Sequence, residues 1–151
     1  IEKTSAQLSP TIARQLRVLL AEDNPVNQKI SRTMLEKAGH TVVSALNGVE
    51  ALTKYQSEHF DLILMDVQMP DMDGIEATRR IRQLEAQSGR YTLIIALTAH
   101  AMKGDQERFL EVGMDAYLGK PVRSPVLLET IARFIPADPN KVRSGDFRPT
   151  P

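Results

Sequence analysis

Leu62-Ile63-Leu64-Met65-Asp66-Val67-Gln68-Met69-Pro70-Asp71-Met72-Asp73-Gly74 is the stretch that decides the fold. Four consecutive apolar residues read as a strand buried on both faces, the signature of a parallel sheet covered by helices. The Pro, Asp and Gly residues that follow read as a loop. Asp66 therefore stands at the carboxyl end of a buried strand, where open α/β sheets bind their ligands. The arrangement recurs on either side. Val18-Leu19-Leu20-Ala21 ends in Glu22-Asp23, Leu93-Ile94-Ile95-Ala96-Leu97 ends in Thr98, and the short run Ala116-Tyr117-Leu118 leads to Lys120. Three carboxylates, a hydroxyl and an ammonium thus converge on one edge of one sheet.

Between these runs lie helical patterns. Strand 1 reads as Arg17–Ala21. Asn24-Pro25 then supplies an N-cap and a first-turn proline, with Val26, Ile30 and Met34 at four-residue spacing and Gly39 as the stop. Strand 2 is Thr41–Ala45. Asn47-Gly48 opens a helix with Val49, Leu52 and Tyr55 on one face. After strand 3 (Leu62–Met65), a helix from Gly74 to Ala86 spaces Ile75, Thr78, Ile81 and Arg82. Strand 4 is Leu93–Leu97, followed by a helix from Met102 to Val112 that ends at Gly113. Strand 5 is Ala116–Leu118. Ser124-Pro125 repeats the cap-and-proline pair before a helix lined by Leu128, Ile131 and Ile135. Five β-then-α units imply a doubly wound parallel sheet. The pattern alone leaves the strand order open, but acids after strands 1 and 3 converge only if those strands are neighbours. The order 2-1-3-4-5 achieves this and puts its topological switch point between them.

Composition narrows the function. Charged residues are 25% and hydrophobic ones 42%, as in ordinary globular domains. Lys+Arg and Asp+Glu both number 19, and the resulting zero net charge argues against broad binding to nucleic acid or an anionic membrane. No apolar stretch approaches bilayer length. The absence of cysteine excludes disulfides, thiolate metal sites and Cys nucleophiles and fits a reducing, cytoplasmic location. Residues 1–15 read as a linker or lead-in and 16–135 as the folded domain. Residues 136–151 hold four of the nine prolines and read as a disordered tail.

Glu22, Asp23 and Asp66 in one cleft would repel one another, and such a set raises a pKa or recruits a cation. A hard cation such as Mg²⁺ takes oxygen ligands and shares a phosphate. Asp23 and Asp66 read as direct ligands, Glu22 as a ligand through water, and the backbone carbonyl of Gln68 as a further oxygen. Asp66 can also attack phosphorus to form an aspartyl-phosphate. Lys120 and the Thr98 hydroxyl would then hold the phosphoryl oxygens.

These residues carry a family resemblance. Glu22-Asp23, Asp66 with Met69-Pro70 and Asp73-Gly74, Thr98-Ala99 and Lys120-Pro121 resemble the receiver domain of two-component response regulators. The spacings are 43, 32 and 22 residues from Asp23 through Asp66 and Thr98 to Lys120, and the likeness covers about residues 16–135. The resemblance implies the flavodoxin-like (βα)5 fold, for which the 2-1-3-4-5 order is known, and a bound Mg²⁺. It implies a phosphoryl group passed from a kinase phosphohistidine to Asp66, and a histidine phosphotransfer protein is the candidate second partner. It also implies a cis Lys120-Pro121 bond and Thr98 and Tyr117 as switch residues, acting on the face of the fourth helix, fifth strand and fifth helix. Glu22-Asp23-Asn24-Pro25-Val26-Asn27 and Leu97-Thr98-Ala99-His100-Ala101-Met102 are similar to receivers attached to hybrid sensor histidine kinases. The start at Ile1 fits a piece of such a kinase, whose membrane anchor would lie elsewhere. The alternative is a stand-alone single-domain regulator. Either way the domain itself is not a turnover enzyme.

Other classes fit less well. A haloacid-dehalogenase-type phosphatase expects an acid two residues after its nucleophile, and position 68 is Gln. A nucleotide or flavin binder expects a Gly-rich loop where Glu22-Asp23-Asn24-Pro25 stands. A degenerate, purely scaffolding receiver would not need the intact acid set and Lys120. Each site residue alone has a plain reading as a cap, a β-former or a solvated charge; together they do not. Asp71 and Asp73 read as loop and cap residues. His40, His59 and His100 lack partners at ligand spacing and read as surface residues. Arg79, Arg80 and Arg82 read as a solvated helical patch, and the methionines as packing.

Overall fold

The computed structural model describes residues 15–99 and 103–135. Five parallel strands, β1 (Arg17–Ala21), β2 (Thr41–Ala45), β3 (Leu62–Asp66), β4 (Leu93–Thr98) and β5 (Ala116–Gly119), form one sheet in the order β2-β1-β3-β4-β5. The helices are α1 (Pro25–Lys37), α2 (Gly48–Ser57), α3 (Gly74–Ser88), α4 (Lys103–Glu111) and α5 (Ser124–Phe134). The chain divides into two units, Leu16–Val122 with the sheet and α1 to α4, and a second whose described part holds α5. That boundary falls inside the 16–135 span expected as one domain. No described helix is long and apolar enough to cross a membrane. Met102 and His100, and the predicted lead-in and tail, lie outside the described residues.

The apolar runs became strands because burial on both faces leaves no polar alternation to satisfy. Leu19, Ala21, Ile63, Met65, Ile94 and Ala96 turn one way, into a core closed by Ala51 and Tyr55 of α2, Ile75, Ala77 and Ile81 of α3, and Phe109 of α4. Val18, Leu20, Leu62, Leu64, Ile95 and Leu97 alternate to the other face and are equally buried. β3 and β4 each run one residue beyond the predicted ends, so Asp66 and Thr98 are themselves the last strand residues. Ala21 pairs with Met65 and Asp66 with Leu97, which brings Glu22 level with Asp66 and Asp66 close to Thr98.

Several helix faces differ from expectation. In α1 the predicted stripe is turned outward: Val26 is 66% and Ile30 47% exposed, while Ser31 and Leu35 are buried. In α2 Val49 is exposed and Gly48, Ala51 and Tyr55 are inside. Periodicity identifies a face but not which face the sheet covers. In α5 the buried residues are Leu127, Thr130 and Ile131, and the cap position is Arg123 with no side-chain cap bond, because Ser124 already belongs to the helix.

Arg82 is not part of a solvated patch. Arg79 and Arg80 are exposed and pair with Glu76, but Arg82 turns inward at the amino edge of the sheet. Its guanidinium donates to Glu85 Oε1 (2.6 Å), Asp115 Oδ2 (3.0 Å), the Thr92 carbonyl (2.8 Å) and the Gly113 carbonyl (2.9 Å), and it stacks on the Tyr91 ring. Glu85 accepts in turn from Tyr55 Oη and Thr92 N–H, and Asp115 from Tyr91 Oη and Ile94 N–H.

His40 is likewise buried rather than at the surface. α1 ends with Gly39 at φ +96°, its N–H donating to the Glu36 carbonyl, while the His40 N–H donates to the Leu35 carbonyl. This Schellman turn tucks the following residue inward. Nδ1 of His40 accepts the Leu16 N–H at 3.0 Å, and Nε2 has no hydrogen-bond partner among the described residues. Burial pushes the ring pKa below its usual value, with the Asp61 charge opposing. A depressed histidine pKa means that the unfolded chain takes up the proton first. His40 therefore contributes stability that is lost as pH falls below about 6.5. Relative to His40→Gln, whose amide oxygen can still accept from Leu16, the wild-type chain should lose melting temperature between about pH 7 and pH 5. Parallel pH profiles of the two proteins would refute this.

Candidate functional site

The carboxyl edge of the sheet holds a cleft of about 240 Å³ lined by Glu22, Asp23, Asn24, Asn27, Asp66, Val67, Gln68, Thr98, Ala99 and Lys120. Each functional side chain is fixed by local chemistry. Asn24 caps α1, its Oδ1 accepting from the Val26 and Asn27 N–H groups, while its own N–H donates to Glu22 Oε2 at 3.1 Å. Gln28 Nε2 donates to the Glu22 carbonyl. Glu22 is thereby held buried, whereas Asp23 beside it is exposed. Asp66 accepts the Gln68 N–H on Oδ1 (3.2 Å) and the Lys120 ammonium on Oδ2 (2.9 Å). Lys120 also reaches Glu22 Oε1 at 3.1 Å. The Lys120 N–H donates to the Thr98 carbonyl, which ties the end of β4 to the loop after β5, and the Lys120-Pro121 bond is cis.

The loop after Asp66 is tightly built. Gly74 N–H donates to the Val67 carbonyl, and a Cβ on Gly74 would stand 2.2 Å from the Asp66 carbonyl oxygen. Only glycine fits there. Asp73 caps α3 through the Glu76 N–H. Asp71 has φ +67°, a left-handed conformation that costs a non-glycine residue roughly 1–3 kcal/mol unless its surroundings hold it.

The electrostatics are unbalanced. Ligand oxygens of Glu22, Asp23 and Asp66 lie within 4.8 Å of one another. One ammonium cannot neutralise two buried carboxylates and an exposed third. Burial lifts the Asp66 pKa to about 6; the Lys120 hydrogen bond and charge oppose this and Glu22 adds to it. Burial also works against the Lys120 charge, but hydrogen bonds to Asp66 and Glu22 outweigh it and raise the lysine pKa. An all-oxygen donor set with surplus negative charge and an open mouth suits a hard divalent cation.

Of the sequence-predicted residues, Glu22, Asp23, Asp66, Gln68, Thr98 and Lys120 all line the cleft. The Gln68 side chain is exposed. Tyr117 is outside that lining; it is half-buried on β5, its ring 6.4 Å from that of Phe109 on α4. Sequence reading took Asn24 as a helix cap and missed that it also positions Glu22. The signal was the acid two residues before the cap.

Comparison with known proteins agrees with this geometry. A family model described as the response regulator receiver domain matches residues 18–132. The hybrid signal transduction histidine kinase I of Dictyostelium discoideum is 46% identical over 136 residues, covering 87% of this chain and 8% of the kinase. The chain thus spans a small part of that relative's length. The crystal structure of the receiver domain of a sensor histidine kinase from Pseudomonas aeruginosa PAO1, with a magnesium ion coordinated in its active-site cleft, is 42% identical. It matches with a TM-score of 0.73 over 81% of this chain and 98% of that one. The receiver domain of a Saccharomyces cerevisiae response regulator, solved with its upstream histidine phosphotransfer protein, is 36% identical with a TM-score of 0.75. That match covers 80% of this chain and 89% of the other.

Proposed function

Because the chain belongs to the response regulator receiver family, we propose that Asp66 accepts a phosphoryl group from a kinase phosphohistidine, with Mg²⁺ held by Glu22, Asp23, Asp66 and the Gln68 carbonyl. The observation that carries this reading is the contact of Lys120 with both Asp66 and Glu22 in an open acidic cleft. In the reaction an Asp66 carboxylate oxygen bonds to phosphorus as the donor's bond to phosphorus breaks, and that electron pair leaves with the donor. A bound cation would neutralise phosphoryl charge. Asp66, level with the strand ends, is oriented by the Gln68 N–H. Lys120 would exchange its contact with Asp66 for one with a phosphoryl oxygen. Thr98 would hold another oxygen and, moving toward it, open space for the Tyr117 ring. This is a population shift between two packings.

This domain is proposed to be a cytoplasmic phosphorelay module of a hybrid histidine kinase, joined to its kinase as in the Dictyostelium relative. A histidine phosphotransfer protein, as in the yeast complex, is a fitting second partner. The exposed Val26 and Ile30 of α1 offer it an apolar surface, since Ile30 lines a hollow shared with Lys120 and Glu22 of the cleft. The test is incubation with Mg²⁺ and acetyl phosphate, followed by intact mass. The wild-type chain should gain one base-labile phosphoryl group and Asp66→Ala none. Label persisting in Asp66→Ala on the same timescale would sink the assignment.

A further inference from the structure

We propose that Asn47 is a positioning residue of the acceptor loop, which it reaches from the neighbouring β2–α2 turn. The inference rests on the reading of the acidic cleft as a Mg²⁺ and phosphoryl site.

The loop from Val67 to Gly74 is pinned at two places. Its base is closed by Gly74 N–H donating to the Val67 carbonyl at 2.9 Å. Its tip is a three-residue turn in which Met72 N–H donates to the Pro70 carbonyl at 2.7 Å, with Asp71 between them at φ +67°. A three-residue turn with positive φ at its centre is the rare, strained form. Such a turn persists only where its surroundings over-determine it.

Those surroundings are Asn47 and Gly48. Gly48 N–H donates to the Met72 carbonyl at 2.9 Å, and a Cβ on Gly48 would stand 2.3 Å from that oxygen. The backbones approach closely because residue 48 has no side chain. Asn47 Oδ1 accepts the Glu50 N–H at 2.8 Å as the cap of α2. That bond fixes which end of the amide faces which way. Nδ2 is therefore left to donate to Asp71 Oδ2, at 3.2 Å. Gln68, whose carbonyl is the proposed cation ligand, lies between base and tip. Fixing the tip limits where that carbonyl stands. Partners bonded directly to a ligand are worth about 10–100-fold in metal affinity, and Asn47, acting through Asp71, is placed at the low end of that range.

Asn47→Asp separates this role from capping. A carboxylate still accepts the Glu50 N–H, but it offers Asp71 repulsion in place of a donor. An added negative charge near the cleft would by itself tighten cation binding, so the two ideas predict opposite signs. Mg²⁺ affinity is measured by calorimetry on the full chain, without phosphoryl donor. Asn47→Asp should bind Mg²⁺ about tenfold more weakly while melting within ~2 °C of wild type in EDTA. Adding Asp71→Gly removes both the repulsion and the positive-φ penalty. The double variant should recover most of the affinity although it has lost a negative charge. Equal or tighter binding by Asn47→Asp overturns the inference, as does weaker binding that Asp71→Gly fails to restore. A wild-type chain that binds no Mg²⁺ overturns the cleft reading along with it, whereas wild-type binding with an unaffected Asn47→Asp overturns this inference alone.

Discussion

Asp66→Asn should melt higher than the wild-type chain in EDTA near neutral pH, by the equivalent of roughly 1–3 kcal/mol. Glu22 and Asp66 are drawn together only by folding, and the single Lys120 ammonium sits between them at 3.1 and 2.9 Å. Burial lifts the Asp66 pKa from 3.8 to about 6. A carboxyl with a raised folded pKa favours the fold while protonated. Its contribution is therefore present below about pH 4 and lost as pH rises through about 6. The wild-type chain should show this decline across that window and Asp66→Asn should not, because its neutral amide leaves Lys120 and Glu22 as a balanced pair. Mg²⁺ should narrow the gap. Mass action stabilises a binder by about 2.7 kcal/mol at 100 times the dissociation constant, and the variant lacks one proposed ligand. Thermal melts of both proteins in EDTA and across a Mg²⁺ titration test this. A lower melting temperature for Asp66→Asn in EDTA, with an equal response to Mg²⁺, would mean that the three acids do not share a site.

β1, β3 and β4 were legible nearly to the residue, because a short apolar run bounded by loop residues reads as a strand buried on both faces. The adjacency of β1 and β3 came from chemistry rather than pattern, because the acids that follow them needed to meet; the full order 2-1-3-4-5 came with the family resemblance. That these residues share one cleft was legible as well, since Glu22, Asp23, Asp66, Thr98 and Lys120 all follow or end apolar runs. What failed was the assignment of helix faces. In α1 the four-residue spacing of Val26, Ile30 and Met34 is a true stripe, but the sheet covers Ser31 and Leu35 instead. Partners remote in sequence were also illegible. Asn47 and Asp71 are separated by 24 residues and Arg82 and Asp115 by 33, so no local pattern links them. His40 looked like a surface residue because its burial depends on the turn at Gly39 and on Leu16, at the start of another strand.

Arg82→Ala should cost about 3–5 kcal/mol at neutral pH, the usual penalty for removing one partner of a buried ion pair. The side chain of Arg82 is 15% exposed, and its partners Glu85 and Asp115 are at 3% and 1%. Alanine would leave two carboxylates buried without a cation, two backbone carbonyls without a donor, and Tyr91 without the guanidinium on its ring. Even with Arg82 present, burial keeps the Asp115 pKa raised, so the site has no reserve of positive charge. Without the arginine the Asp115 carboxyl should titrate higher still. The sign follows: a raised folded pKa penalises the fold only when the group is ionised, so the deficit should be largest near pH 7 and shrink as pH falls toward about 4. Replacing Glu85 with Gln in the same chain removes one orphaned charge and should return part of the loss. These residues join α3, the start of β4 and the loop before β5 at the amino edge, whereas phosphoryl acceptance is proposed at the carboxyl edge. Folded Arg82→Ala should therefore still be labelled at Asp66 by acetyl phosphate. Urea unfolding of the three proteins at two pH values decides the matter. A loss under about 1 kcal/mol that fades with salt is what a solvated surface charge would give, and it would return Arg82 to the exposed patch that its neighbours Arg79 and Arg80 form.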